Sequence, residues 1–263
     1  MASLIRRASR CSPLVSRVAT ARALSSQTKK TIQSASDFNE LRERSLLRHV
    51  INTSVEGDAE SVMTAMDTFW DTFFNGEGTA EWTVRGAALD SAIRTKQPKA
   101  AMEIGAYCGY TAVRMARLMP PDSKLISIEI DPLYAAIATK MVEHAGLRDR
   151  VSVEIGSVAD RLGPIHRKHG LNGPLDAVLL DHDVSNYLPD LQLLEKNGHI
   201  AKGTVVLCDW SLYPGSDDVK QTPTTGADFM DYLSEIGVNQ STRHSLREKE
   251  IFTVSAGDWV GVI

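Results

Sequence analysis

Cysteine is scarce in this chain of 263 residues. Cys11, Cys108 and Cys208 are all there are, and no two form a C-x-x-C pair. That argues against a disulfide framework and against a structural zinc site, and it leaves Cys108 and Cys208 as small packing residues. Long apolar runs are lacking too: none approaches the roughly 18–20 residues that a membrane span needs. There is no surplus of positive charge, since 29 Lys and Arg face 33 Asp and Glu for a formal charge of −4. Nucleic acid is therefore not expected as a partner. Internal repeats and an obvious interdomain linker are missing as well. The 43% hydrophobic and 24% charged content is that of an ordinary globular protein. The length fits one α/β domain, with room for a modest appendage.

One absence is local. Residues 1–36 contain Arg6, Arg7, Arg10, Arg17, Arg22, Lys29 and Lys30 but no acid, and they are rich in Ser and Ala. On a helical wheel Leu4, Cys11, Leu14, Val15 and Val18 gather on one side, with Arg6, Arg10 and Arg17 beside them. This is the composition of a mitochondrial transit peptide, so a matrix location is expected; a disordered basic leader, and a cytoplasmic protein, is the bland alternative. Without the five arginines about 24 basic side chains face 33 acidic ones, a charge near −9 that suits a small-molecule enzyme. The fold is expected in 37–263, with helices over 37–98 and a sheet core over 99–263.

What is present is alternation. Leu41, Leu46, Leu47, Val50 and Ile51 recur at helical spacing, and a second amphipathic stretch begins near Asp58. "NGEGTAEW", residues 75–82, reads as a glycine-rich loop before a helix restarts in "VRGAALDSAIR". Strand patterns then alternate with helical ones: "AAMEI", "KLISIEI", "RVSVEIG", "LDAVLLD" and "GTVVLCD" each precede a helical segment. The last of these segments runs through Asp228 and Tyr232. In the tail, β-rich pieces flank Gly257-Asp258, which reads as a hairpin. Such alternation implies a parallel sheet covered on both faces. Met63, Met66, Met115 and Met119 read as core or pocket lining. His166 and His169 read as members of a basic, exposed helix with no metal role.

Chemistry concentrates in "MEIGAYCGYTAVRMARLM", residues 102–119, where a strand runs through a glycine turn into a helix. Gly105 and Gly109 let the main chain turn tightly and approach a ligand. The spacing lacks the G-x-G-x-x-G dinucleotide fingerprint, and no G-K-[ST] follows to make a P-loop. Glu103 precedes the turn, as a carboxylate expected to face the pocket. Glu129 ends the second strand, placed to accept both hydroxyls of a ribose. Two acids around the turn repel a diphosphate and attract the cationic amino-acid part of S-adenosylmethionine, which favours that methyl donor over NAD.

"EIGAYCGYTAVRMARLM", "LLDHDVSNYLPD" and "KGTVVLCDWSLYPG", with "HVINTSVEGDAESVMTAMDTF" upstream, resemble catechol O-methyltransferases from about residue 40 to the end. The resemblance implies a class I, Rossmann-like methyltransferase fold, a three-layer α/β sandwich whose seven-stranded sheet is mostly parallel with one antiparallel strand. It assigns Gly105, Tyr107, Gly109 and Thr111 to the donor loop and Glu129 to the ribose. Ser157 joins the donor-binding set, and His182 lies next to the bound donor. Asp181 and Asp209 match two magnesium ligands, and two carboxylates on adjacent strand ends do begin an oxygen-rich site for a hard cation.

The chain departs from that family at the chemistry. In the family a lysine three residues after the first aspartate takes the acceptor's proton, and here that position is Val184. An Asn after the second aspartate is the family's third metal ligand; here it is Trp210, whose indole only donates. Asp183 replaces a family Trp and is a candidate replacement base or ligand, with His182 as the other candidate. A family Glu that binds the second catechol hydroxyl falls among Arg247, Glu248 and Glu250, with Glu248 preferred. Trp210 is open to two readings, stacking on an aromatic acceptor or packing in the core. The expected protein is thus a monomeric O-methyltransferase for a small phenolic or catecholic acceptor, with S-adenosylmethionine as donor and Mg2+ as metal. Donor binding without turnover, in a regulatory or assembly role, is the alternative.

Overall fold

The computed structural model describes residues 35–74, 79–171, 173–209, 232, 238–246 and 249–256. The chain divides into two units, 1–42 and 43–263. Of the first, only 35–42 are described, as the opening of helix α1 (Ala35–Thr53). The rest of the leader lies outside the described residues.

After α1 come α2 (Ala59–Phe74), α3 (Thr79–Lys96), β1 (Ala100–Ile104), α4 (Tyr110–Leu118), β2 (Lys124–Glu129), α5 (Pro132–His144) and β3 (Val151–Ile155). Next follow α6 (Val158–His169), β4 (Ala177–Leu180), a 3-10 turn at Val184–Asn186, α7 (Tyr187–Lys196), β5 (Val205–Asp209), β6 (Val238–Leu246) and β7 (Lys249–Ala256). The strands form one sheet in the order β3-β2-β1-β4-β5-β7-β6. β1 to β5 are parallel, while β7 is antiparallel to both β5 and β6 and so runs alone against the rest. This is the expected architecture.

Strand alternation builds two cores. Ala101, Leu125, Val151, Ala177, Leu179, Val205 and Leu207 face one side with residues of α1 to α5, including Leu46, Met66, Val113 and Met141. Met102, Ile104, Ile126, Ile128, Val178, Leu180 and Val206 face the other, against Val158, Leu162 and Ile165 of α6 and Tyr187, Leu191 and Leu194 of α7. Strands β1, β2, β4 and β5 are buried on both faces, which is why they read as near-continuous apolar runs. The four methionines singled out above are all buried, as are Cys108 and Cys208.

Sheet order also positions the site. The chain moves outward from β1 to β2 to β3, then crosses back to β4 on the other side of β1. In such sheets ligands bind at this switch, beyond the carboxyl ends of the strands. Here it lies between β1 and β4, so the glycine turn after β1 meets Asp181 just after β4.

One local reading changes. Helix α3 begins at Thr79, so the second half of "NGEGTAEW" is helical. The first half lies outside the described residues. In the tail, the hairpin that forms joins β6 to β7 across 247–248. The expected turn at Gly257-Asp258 lies outside the described residues, as does the segment around Asp228.

Candidate functional site

The turn after β1 is held mostly by main-chain geometry. Gly105 has φ +95°, and a Cβ there would sit 2.3 Å from the Asp181 carbonyl oxygen, so only glycine lets β1 and β4 approach this closely. Gly109, at φ 84°, caps α4 and leaves 3.0 Å between a would-be Cβ and Ala138 Cα on α5. Tyr107 between them also has positive φ, 45°, which costs a non-glycine residue of order 1–3 kcal/mol unless its surroundings enforce it. They do. Its N–H donates to Glu129 Oε2 at 2.7 Å and its hydroxyl donates to the buried Glu43 of α1. Its ring meets Trp70 with centroids 6.4 Å apart and Tyr134 with centroids 4.9 Å apart.

Glu129 is the hub of this end. It ends β2 and is 7% exposed. Besides the Tyr107 N–H, it accepts the Asp131 N–H on Oε1 at 2.9 Å. Each carboxylate oxygen has a second lone pair, so both can still take a hydroxyl of a vicinal diol. Asp131 in turn caps α5 by accepting from the Leu133 and Tyr134 N–H groups.

Glu103 requires a correction. The expectation put its carboxylate in the open pocket, whereas the structure buries it completely beneath the turn. Thr111 donates to Oε1 and Ser127 to Oε2. Burial pushes its pKa up to about 7, against the pull of those two hydroxyls. The cause is register: Glu103 pairs with Ser127 on β2 and Leu179 on β4, in the middle of the sheet. The negative potential at the site's surface therefore rests on Glu129 and Asp181 more than on Glu103. Thr111, too, acts through its bond to Glu103.

On the β4 side, Asp181 N donates to Ile104 O at 2.9 Å, tying the strand end to β1. Leu180 pairs with Cys208, so the main chain carries Asp181 and Asp209 to neighbouring strand ends. His182 Nε2 is 3.0 Å from Asp190 Oδ2 on α7. Asp183 is exposed, and its Oδ1 accepts both the N–H and the hydroxyl of Ser185, which holds its carboxyl below the usual range. Val184 opens the 3-10 turn. Ser157 caps α6, accepting from Asp160 N and donating to the Asp160 carboxylate. Trp210 and Glu248 lie outside the described residues. Among the described residues no group of three His, Cys, Asp or Glu is arranged to hold a metal.

Several contacts escaped the sequence. The aromatic wall of Trp70, Tyr107 and Tyr134 had no signal beyond the residue types. His166 and His169 were expected to be exposed, but His166 bonds the fully buried His199 at 2.7 Å and His169 bonds Glu154 at 2.8 Å. Both are half-buried because α6 packs onto the sheet through Val158, Leu162 and Ile165.

A family model described as O-methyltransferase matches residues 83–245. Catechol O-methyltransferase of Bos taurus is 42% identical over 182 residues, covering 67% of this chain and 64% of its own length. The matched part thus spans just under two thirds of that relative. Catechol O-methyltransferase B of Danio rerio is 36% identical over 202 residues, covering 75% of this chain and 70% of its own. Among solved structures, an O-methyltransferase from Bacillus cereus in complex with SAH matches with a TM-score of 0.54 at 23% identity, over 65% of this chain and 80% of that one. That likeness speaks to the fold.

Proposed function

The chain belongs to the O-methyltransferase family, and on that premise we propose that it moves the methyl group of S-adenosylmethionine to an oxygen of a small phenolic acceptor, a catechol first of all. The observation that carries this reading is Glu129, fixed by the Tyr107 and Asp131 N–H groups at the mouth of a glycine turn that lacks any dinucleotide or P-loop spacing. Bound there, the donor would supply an electrophilic methyl group on a sulfonium. The protein's part is to hold and orient. Glu129 takes the ribose hydroxyls, and the turn from Gly105 to Gly109 cradles the amino-acid portion. The ring of Tyr107 with its neighbours Trp70 and Tyr134 walls the turn.

Magnesium fits the residues present in one form only. Asp181 and Asp209 give two carboxylates on neighbouring strand ends. Mg2+ keeps several waters and is often held by one or two carboxylates plus substrate oxygens. Trp210 adds nothing to such a set. The ion would orient the acceptor and lower its hydroxyl pKa.

Proton removal is the weak half. Val184 cannot accept a proton. Asp183 is a poor base while Ser185 bonds its carboxylate, and His182 already shares Nε2 with Asp190. Such a site suits an acceptor whose hydroxyl ionises readily. It also sustains the second reading, donor binding without turnover, which Val184 and Trp210 specifically favour. Residues 1–36, with their arginines and no acid, are proposed to direct the protein to the mitochondrial matrix.

The test is calorimetric titration of the protein with S-adenosylmethionine and with NAD, followed by transfer of labelled methyl to catechol with Mg2+ and with chelator. Donor binding with metal-dependent transfer supports the proposal. Donor binding without transfer under either condition supports the second reading, and NAD binding overturns both.

A further inference from the structure

The end of β4 is aligned with the glycine turn by a side chain that no part of the methyl-transfer reading uses. Asp190 lies in the first turn of α7, where an acid ordinarily serves the helix's own N–H groups or its dipole. Here its Oδ2 reaches out of the helix to His182 Nε2, at 3.0 Å, with the two side chains 20% and 16% exposed. A carboxylate can only accept, so Nε2 carries the proton. Nδ1 is buried and meets no hydrogen-bond partner among the described residues. The Nε2–H bond to Asp190 thus fixes which edge of the ring faces α7. The ring also rests on the fully buried Tyr187 of α7, with centroids 5.0 Å apart.

His182 is not an isolated side chain. Its main-chain N and the carbonyl of Asp181 form the wall that a Cβ on Gly105 would strike, at 2.9 and 2.3 Å. A continuous path therefore runs from α7 through Asp190 and the His182 ring to the 181–182 main chain, and from there to the turn after β1. Asp181 N donates to Ile104 O, which sets the height of the strand end and not the direction in which the loop leaves it.

We propose that Asp190 is a positioning residue for donor capture: it holds the His182 ring in one rotamer, with Nε2–H toward the carboxylate, and so keeps the 181–183 segment pressed against the glycine turn. This rests on the methyl-donor reading of that turn. Loss of a hydrogen bond to a charged group in such a position is worth about tenfold or more in affinity. The cost falls first on donor capture, because the main chain that Asp190 steadies through the His182 ring is the wall of the donor turn.

The test compares wild type, Asp190→Ala and Asp190→Asn, with S-adenosylhomocysteine as the calorimetric probe. Thermal melts and steady-state kinetics accompany it, with 15N spectra of the histidine ring nitrogens. Asp190→Ala is expected to raise the dissociation constant and the donor KM about tenfold, with kcat changed less. Its His182 ring should lose the fixed Nε2–H signature, while Asp190→Asn, whose amide oxygen can still accept, should restore most of the affinity. A purely structural role would lower the melting temperature of both variants and leave the affinity of the folded fraction alone. Unchanged affinity in a folded Asp190→Ala variant overturns the proposal, and so does a wild-type His182 ring with bare Nε2. A wild-type protein that fails to bind the probe at all is a different result, since it removes the methyl-donor reading itself.

Discussion

The crevice beyond the strand ends has two sides of different character. On the β1–β2 side the recognition groups are fixed by main chain: two glycines with positive φ, a strained Tyr107, and a carboxylate locked by two backbone N–H groups. On the β4–β5 side they depend on side chains such as that of His182, and the sequence has Val184 and Trp210 at the positions where the catechol O-methyltransferases, by resemblance, keep a base and a ligand. The first side tolerates little change because each part constrains the next. The second can be altered residue by residue without disturbing the sheet. Donor binding and acceptor chemistry therefore rest largely on different groups that meet at the 181–182 main chain, and away from that meeting point they should respond to different substitutions.

The sharpest way to break the first side is Gly105→Ala. A methyl group there meets the Asp181 carbonyl oxygen at 2.3 Å on a backbone with φ +95°. Left-handed strain and overpacking together cost about 3 kcal/mol, on the order of 100-fold in an equilibrium constant. Donor affinity measured by calorimetry should fall by that order in whatever fraction of the variant remains folded. An alanine variant that binds the donor like wild type would show that β1 and β4 do not approach as described.

The second side is probed by adding what it lacks. Val184→Lys places an amine where the catechol O-methyltransferases, by resemblance, keep their base. General bases contribute roughly 10²–10⁴-fold where fully positioned, so even a partly aligned lysine should raise turnover of catechol about tenfold. Donor affinity should stay within about twofold, because the substitution leaves the Asp190–His182 bond and the 181–182 main chain in place. A gain in turnover with unchanged donor affinity would confirm that the two sides are independent. A parallel loss of donor affinity would show that they are coupled.

Much of this was legible in the sequence, and the boundary is physical. Strands β1 to β5 are short apolar runs flanked by turns, and the glycine turn announces itself by spacing. The switch point follows from alternation plus the crossover rule. Strand β6, "VNQSTRHSL", was not legible: it is polar everywhere between Val238 and Leu246 and carries no period-two signal, and its place is set by pairing with β7. Side-chain partnerships across long separations were equally hidden. His166 and His199 are 33 residues apart, and Tyr107 and Glu43 are 64 apart. Such pairs are brought together by packing and leave no local trace. The residues proposed for the donor were picked out by type and spacing, yet where Glu103 sits relative to the turn depends on strand register, which decides that it lies under the turn and not in the cleft.

That burial has a pH signature. Glu103 titrates near 7 in the folded protein, against 4.5 for an unperturbed carboxyl. The native state keeps its proton over a range in which the unfolded chain has lost it. Stability from this group is fully present below about pH 4.5 and declines as pH rises toward 7, at no more than about 1.4 kcal/mol per pH unit. Glu103→Gln keeps an acceptor oxygen for one of the two hydroxyls and removes the titration. The melting temperature of the variant, followed from pH 5 to 8, should fall less steeply than that of the wild type. Parallel curves would mean that Glu103 is ionised at little cost, and that the donor side is more open to water than its geometry indicates.

The smallest effect is expected at Asp183, the acid that appears where the acceptor side has lost its groups. Its Oδ1 already accepts from the Ser185 N–H and hydroxyl, a turn-capping arrangement that holds its pKa low and makes it a reluctant base. Removing a cap of this kind costs about 1 kcal/mol of local stability. Asp183→Ala should therefore loosen the 3-10 turn, visible as faster amide exchange at Ser185 and Asn186, while methyl transfer stays within about threefold of wild type. A fall beyond 100-fold would instead place Asp183 in the chemistry, through Oδ2 and a water molecule or through the metal. The acceptor side would then have rebuilt its base one residue before the position at which its relatives by resemblance carry the lysine, and the separation between the two halves of the crevice would be a matter of position and not of function.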